Sequence, residues 1–323
     1  MSGLQEVKRA LPEDFWYSKI RYIVFFGLII LFAVLDPRFL NPDNISNILS
    51  ITVPYAMAVV GMTFVILAAG IDLSIGSIVF LSGAITVIIA NNGGGLFLSL
   101  LGGTLGGLAV GMLNGVLIAH FKIVPFLTTL ATMSIVRGLT VKFADGGFIN
   151  LADGNISTLL NQSKVYIFPV TFIVLAGVVV LATLVLKKTK FGWHLYAMGN
   201  NYEAAQKSGI KVKRLTFWVY AICGLMAGVS GALQLGMFSA IVPTTGTTQE
   251  FMIISATVLG GVSLFGGKGS IWPGAIVGIF IFTIIENAMS VMGANPYFYD
   301  IARGIVIFFA IMLDSIRNKG ELR

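Results

Sequence analysis

Residues 187–214, KKTKFGWHLYAMGNNYEAAQKSGIKVKR, form a long polar stretch inside a chain that is otherwise almost continuously apolar. The stretch carries seven of the 21 Lys and Arg residues and a single acid, Glu203. Moving Lys or Arg across hydrocarbon is costly, so connections rich in these residues stay on the cytoplasmic side of a membrane. We therefore expect residues 187–214 to form a cytoplasmic loop between membrane-spanning helices.

A short helix is predicted inside this loop. Asn200 or Asn201 is a suitable N-cap, good helix formers follow, and Gly209 is a suitable stop. Ala204 and Ala205 are small enough to let such a helix lie against a partner surface. The pattern therefore indicates a docking helix rather than a passive connector.

The run 199–210 (GNNYEAAQKSGI) resembles the Glu-Ala-Ala…Gly coupling loop of ABC importer permeases, in the form found in monosaccharide (ribose, galactose, xylose) permeases. Two further blocks carry the same resemblance. They are GMT at 61–63 with AGIDLSIGS at 69–77, and VLGGVS at 258–263 with GGKG at 266–269. The blocks follow one another in the family's order, which makes the resemblance specific.

This resemblance implies an all-α, polytopic membrane helical bundle similar to the type II ABC importer permease fold. It implies a membrane-spanning subunit of an ATP-driven importer that moves a small sugar delivered by a periplasmic or extracellular binding protein. The expected partners are a separate ATPase subunit, the binding protein and a second permease copy, identical or paralogous. The ATPase would dock on Glu203, Ala204, Ala205 and Gly209, in the inner membrane of a bacterial cell.

The composition independently indicates a membrane protein. The mean hydropathy is +0.91 and only 11% of residues are charged, whereas about a quarter are charged in soluble domains. The net charge of +7 could suggest nucleic acid, but the basic residues are confined to particular connections and leave no continuous basic face. No nucleic-acid partner is predicted, and the single Cys223 excludes a disulfide framework.

Apolar runs predict about ten transmembrane helices in one domain, residues 1–323. The predicted segments are 20–35, 49–69, 76–90, 96–119, 123–141, 165–186, 215–240, 251–265, 271–292 and 299–316. With the tail 1–19 and the loop 187–214 in the cytoplasm, sixteen Lys and Arg residues of the connections lie inside and three lie outside. This asymmetry predicts that both termini are cytoplasmic.

Glycines on one face of the fourth segment predict close helix packing. Gly103, Gly107, Gly111 and Gly115 recur every four residues, and small residues in a stripe let helix backbones approach closely in lipid. We expect this helix to be central in the bundle. A further small-residue pair in the seventh segment, Gly224 with Gly228, has the same spacing.

No catalytic pattern is predicted, and no cofactor. The closest approach to a phosphate-binding loop is GGKG at 266–269, but Val262 replaces its first glycine and Gly269 replaces the Ser or Thr that ligates magnesium. ATP would therefore be bound by the partner subunit. The chain itself is not expected to be an enzyme.

Six residues are candidates for the pathway or for the family signature. Asp72, which is followed by Ser74, lies where the second segment ends, and a carboxylate there suits capping of the next helix or contact with substrate or partner. A pathway for an uncharged sugar needs amide and hydroxyl groups that form hydrogen bonds with the sugar. The candidates that offer an amide or a charge within spans are Asn114, Asn287, Glu286 and Arg303, of which the last two could pair with each other or line an outer vestibule.

The loop 142–164 and the segment 242–250 are expected to form an outer polar rim on which a binding protein could dock. Two alternatives to the sugar importer remain. One is an ABC permease for a related small solute, such as a nucleoside or an autoinducer sugar. The other is a secondary transporter, which is disfavoured because no buried carboxylate or cation site stands out near the membrane centre.

Overall fold

A computed structural model describes residues 13–152, 163–295 and 297–317. It is built from α-helices, which confirms the predicted all-α membrane bundle. The described ranges contain α1 Glu13–Leu35, α2 Pro42–Leu67, α3 Ile75–Asn91, α4 Gly95–Ala119, α5 Pro125–Phe143, α6 Val170–Lys188, α7 Lys190–Asn200, α8 Tyr202–Lys207, α9 Val212–Phe238, α10 Gln249–Leu259, α11 Ile276–Val291 and α12 Tyr297–Arg317. A 3₁₀ turn, Pro37–Leu40, precedes α2, and a kinked turn, Ile271–Ala275, in which the backbone of Trp272 is not helical, leads into α11.

Each of the ten predicted segments overlaps one of these helices. Within the described residues, five helical spans are long and apolar enough to cross a membrane, which makes this a multi-pass membrane protein. They are Pro42–Leu67, Gly95–Ala119, Val170–Lys188, Val212–Gln234 and Ile271–Val291. Because α3 and α10 are apolar but shorter, the count of ten spans stays a prediction.

Strand structure in the described residues is confined to short connectors. Strand β1, Ile149–Asn150, pairs antiparallel with β4, Ala240–Ile241, and β2, Lys164–Val165, pairs with β3, Phe168–Pro169. The β1–β4 pair brings together the two connections that the sequence places on one polar rim. The part of the first connection at 153–162 lies outside the described residues.

Helix α2 lies at the centre of the bundle. From Thr52 to Leu67 nearly every side chain is buried. The glycine-rich α4, which the sequence predicts to be central, is instead peripheral, so that prediction is wrong. Its glycine face packs inward and its opposite face exposes leucines suited to lipid, such as Leu98, Leu105 and Leu113.

Glycines bring α4 and α9 into backbone contact, as the stripe predicts. A methyl group added at Gly107 would lie 2.5 Å from Cα of Gly228, and one added at Gly111 would lie 2.8 Å from Cα of Gly224. Carbon atoms cannot approach so closely, so neither position accepts a side chain without separating the helices. We call these four residues the α4–α9 glycine contact.

Connections that the charge count places on the same side of the membrane also meet in space. On the predicted inner side, Gly267 N donates to Leu67 O at 2.9 Å. On the predicted outer side, Asn91 Nδ2 donates to Asn150 O at 2.8 Å. These two contacts agree with the predicted topology, and the assignment of either side to the cytoplasm stays a prediction.

We predict that Gly107→Leu strongly reduces the yield of folded protein, because the new side chain meets the backbone of Gly228. Overpacking ordinarily costs about 1–3 kcal/mol, and a clash with rigid backbone belongs at the upper end. The measurement is the monodisperse fraction in size-exclusion chromatography after detergent extraction. Gly177→Leu on α6 is the matched control, because nothing lies within 4 Å of its added Cβ.

Candidate functional site

The basic loop 187–214 is more ordered than the sequence predicts, because it contains two helices. The sequence analysis did not predict α7, which is capped by Thr189, whose side chain accepts a hydrogen bond from Gly192 N at 3.3 Å. Its buried residues include Leu195 and Met198. That spacing of three residues, following a Thr cap, is the signal in the sequence from which α7 could have been predicted.

Helix α8 forms where the sequence predicts the docking helix. Of the two candidate caps it uses Asn201, whose Oδ1 accepts a hydrogen bond from Ala204 N at 2.9 Å. The chain leaves the helix through Gly209, which has a φ of +83°. Glycine adopts this left-handed conformation without the steric cost that a side chain would bring.

The two alanines of α8 face in different directions. Ala205 is buried and packs against the main hydrophobic core, so it holds α8 on its own chain. Glu203 and Ala204 are exposed. The face of α8 that is open to a partner therefore carries Glu203 and Ala204, and not Ala205.

Three separate motif stretches converge beneath α7 and α8. A methyl group added at Gly199 would lie 2.5 Å from Gly267 N, and one added at Gly266 would lie 2.8 Å from Ala69 Cβ. Tyr196 donates its hydroxyl to Gly269 O at 2.9 Å. Burial raises the pKa of this phenol, which keeps the hydroxyl protonated and able to donate. All three blocks that resemble the importer permeases therefore meet at one place.

A cavity of about 640 Å³ lies beside this meeting point. It is bounded by the end of α2 at Ala68–Gly70, by Asn200 and Asn201 before α8, and by Lys122 in the α4–α5 connection. The short hinge after α2 and the loop that carries α8 thus share one solvent-accessible space. We call the three motif stretches and this cavity the candidate coupling site.

Asp72 lies in the break between α2 and α3 and is fully buried. Its Oδ1 accepts hydrogen bonds from Ser74 N at 2.9 Å and from Ser74 Oγ at 2.6 Å. The helix capping expected of Asp72 therefore reaches only Ser74, the residue just before α3. Its other oxygen, Oδ2, has no hydrogen bond of good geometry, although the Cys223 thiol interacts with the same carboxylate.

Polar residues of α4 and α5 extend this cluster. Asn114 donates to Ser74 Oγ at 2.9 Å, and Asn114 Oδ1 accepts from Thr132 Oγ1 at 2.7 Å. Thr129 Oγ1 accepts the backbone N–H of Leu73 at 3.1 Å. Three of the predicted pathway or signature residues, Asp72, Ser74 and Asn114, are therefore one buried hydrogen-bonded network.

The remaining three predicted residues lie apart from this network. Arg303 Nη2 donates to Glu286 Oε1 at 2.6 Å, and its Nη1 donates to Asp300 Oδ1 at 3.0 Å. Asn287 makes a reciprocal amide pair with Asn44, at 2.9 and 3.0 Å. Sequence analysis did not single out Asn44, because its hydrogen-bond partner is 243 residues away in the chain.

Two buried carboxylates correct the expectation that none would stand out. Asp72 is 0% exposed and Glu250 is 7% exposed, and each has one oxygen without a hydrogen-bond partner. Glu250 has Arg137 as an electrostatic neighbour. The sequence expectation failed because both residues adjoin helix ends, where burial depends on which other helices lie nearby.

Comparison with known proteins settles the family. A family model described as "Branched-chain amino acid transport system / permease component" matches residues 44–311. The chain belongs to this permease family. No solved structure matches it. Among curated relatives, the ribose import permease protein RbsC of Haemophilus influenzae is 37% identical over 306 residues, with 92% of this chain and 94% of the relative covered.

Two further relatives extend this likeness. RbsC of Bacillus subtilis is 37% identical over 298 residues, with 92% of each chain covered. The L-arabinose ABC transporter permease protein AraH of Azospirillum brasilense is 36% identical over 294 residues, with 90% of this chain and 86% of the relative covered. The resemblance on which the sequence prediction rests is therefore confirmed along nearly the whole permease.

We predict that Thr132→Val lowers the stability of the permease by about 1–3 kcal/mol, because Asn114 Oδ1 is then buried without a partner. Thr140→Val is the control, since the buried Thr140 hydroxyl bonds only to Val136 O of its own helix. Thermal unfolding in one detergent measures both. Equal shifts in melting temperature would show that the network contributes nothing beyond ordinary helix contacts.

Proposed function

We propose that this permease is the membrane-spanning subunit of an ATP-driven importer for a monosaccharide. The observation that carries the proposal is α8, a short exposed helix that the chain holds against its bundle through Ala205 and through close contacts at Gly199 and Gly267. A passive connector needs no such attachment. The ribose and arabinose permeases that resemble this chain over nearly its full length support the substrate class.

On this proposal a separate ATPase subunit binds ATP and contacts the exposed side of α8 at Glu203 and Ala204. Movement of the ATPase would push α8, and Gly209 connects α8 to the start of α9 within a few residues. The chain itself would hold no nucleotide. Its contribution is to transmit the displacement of α8 to the helices around the break at Asp72.

The substrate would pass between two copies of the permease, with polar groups near the break serving as hydrogen-bond partners for sugar hydroxyls. Asn114 and Ser74 offer amide and hydroxyl groups once their mutual hydrogen bond is released. The charges of Glu286 and Arg303 compensate each other. The amide of Asn114 and the hydroxyl of Ser74 suit a neutral sugar better than a zwitterionic amino acid, although the family description names amino-acid transport.

We place both termini, the tail 1–19 and the loop 187–214 in the cytoplasm of a bacterial cell, with residues 1–323 as one domain. The outer rim then includes the β1–β4 pair, Ile149–Asn150 with Ala240–Ile241. A soluble binding protein would dock on this rim and release its sugar to the pathway. Uptake competition with ribose, arabinose, a nucleoside and leucine, using purified binding protein, separates the sugar from related solutes.

The side of the membrane on which each connection lies can be tested with single cysteines. The background is Cys223→Ala, which removes the buried native thiol. In intact cells an impermeant maleimide should label Asn92→Cys and leave Ser208→Cys unlabelled. In inverted vesicles the pattern should reverse. Both positions are exposed. Labelling of Ser208→Cys from outside intact cells would invert the proposed topology.

We predict that Gly209→Val abolishes most ATP-dependent uptake while the permease remains folded. Its added Cβ meets no atom within 4 Å, so the damage comes from forcing a β-branched residue to a φ of +83°. The strain of about 1–2 kcal/mol is relieved by turning the end of α8. Gly93→Val carries the same strain at a φ of +81° in an equally open place, on the predicted outer side.

The two variants separate coupling from general damage. Uptake in proteoliposomes and co-purification with the ATPase should fall for Gly209→Val and persist for Gly93→Val. Ala204→Glu should also detach the ATPase at unchanged permease yield, because Ala204 is exposed, whereas Ala205→Glu should lower the yield itself, because Ala205 is buried. Wild-type uptake in both Gly209→Val and Ala204→Glu would leave α8 without a coupling role.

A further inference from the structure

A basic groove lies between the end of α4 and the start of α9. It has a volume of about 690 Å³, a size typical of small-ligand sites. Lys211, Lys213 and Arg214 line it, together with His120 from the end of α4. All four side chains are exposed, and no acidic residue lines the groove. Its charge is therefore complementary to an anion.

The groove lies where two long apolar spans end. The long apolar span of α4 ends at Ala119 and that of α9 begins at Val212. Beside the cationic residues stand exposed aromatic side chains, Phe121 at 69% and Trp218 at 46% exposure. Aromatic residues next to Lys and Arg at a helix end are typical of the membrane–water interface.

We propose that this basic groove binds the headgroup of an anionic phospholipid. The phosphodiester would accept charge-assisted hydrogen bonds from Lys211 and Arg214, while the glycerol and the first acyl carbons pack on Phe217 and Trp218. Basic residues scattered over the surface would be enough to produce the predicted charge asymmetry across the membrane. They would not need to line a concave site. A soluble phosphate would make no use of the apolar floor, which favours a lipid as the occupant.

The bound lipid would contact the coupling helix as well as the bundle, because Gln206 of α8 lines the same groove. Anionic lipid would then hold the end of α8 near the membrane surface. This inference does not depend on the substrate or on ATP. It depends only on the groove lying at a lipid headgroup layer.

The test measures lipid preference directly. The full-length permease is placed in phosphatidylcholine nanodiscs that contain increasing phosphatidylglycerol with brominated acyl chains, and tryptophan quenching is compared with that from brominated phosphatidylcholine. Trp218→Phe identifies the share of quenching that comes from the groove. Lys211→Gln/Arg214→Gln removes two lining charges, and Lys187→Gln/Lys190→Gln removes two exposed charges of the same loop that do not line the groove.

We expect the phosphatidylglycerol preference to fall about fivefold for each lining charge removed and to be unchanged in the control. Equal preference in wild type and both double variants would overturn the proposal. Displacement of the lipid by soluble glycerol phosphate would also overturn it, in favour of a free-anion site. Loss of ATPase co-purification at unchanged lipid preference in Lys211→Gln/Arg214→Gln would instead assign the groove to the ATPase.

Discussion

Backbone contact between α4 and α9 is the constraint on which the rest of the bundle depends. Helices in lipid gain no hydrophobic free energy when they associate. Dispersion between closely approaching backbones must therefore stabilise their contact. The opposite face of α9 meets Gly61 of α2, whose added Cβ would lie 2.8 Å from Met226 Cβ and 3.0 Å from Cys223 Cα. Helix α9 is thus held between the glycine face of α4 and Gly61 of α2, and α2, α4 and α9 form one block.

This block is what permits the chain to break between α2 and α3. Backbone N–H groups exposed by a break inside a membrane must find partners within the protein. Because α4 and α5 lie close by, Thr129 accepts the N–H of Leu73, and Asn114 supports Ser74 from the other side. The buried Asp72 is tolerable for the same reason, since Ser74 donates to it twice.

Sequence reasoning succeeded where a feature is local and failed where it depends on distant neighbours. The cap at Asn201, the positive φ of Gly209 and the apolar runs follow from residues within one or two turns. The peripheral place of α4, the Asn44–Asn287 pair and the burial of Asp72 require knowing which helices are adjacent. Helix α7 is a different case, because the Thr189 cap and the spacing of Leu195 and Met198 are local signals that the sequence prediction did not use.

The connections of α8 indicate where the bundle can move. A displacement of α8 reaches α9 through the chain and α2 through the contacts at Gly199 and Gly267, and both helices belong to the same block. Movement within that block would separate glycine-packed backbones. The boundary between α2 and α11 is different, because Thr52 faces Thr283 across 2.8 Å and the Asn44–Asn287 amides pair reciprocally. Such hydrogen bonds can exchange partners during a small slide, so we expect relative movement at this boundary.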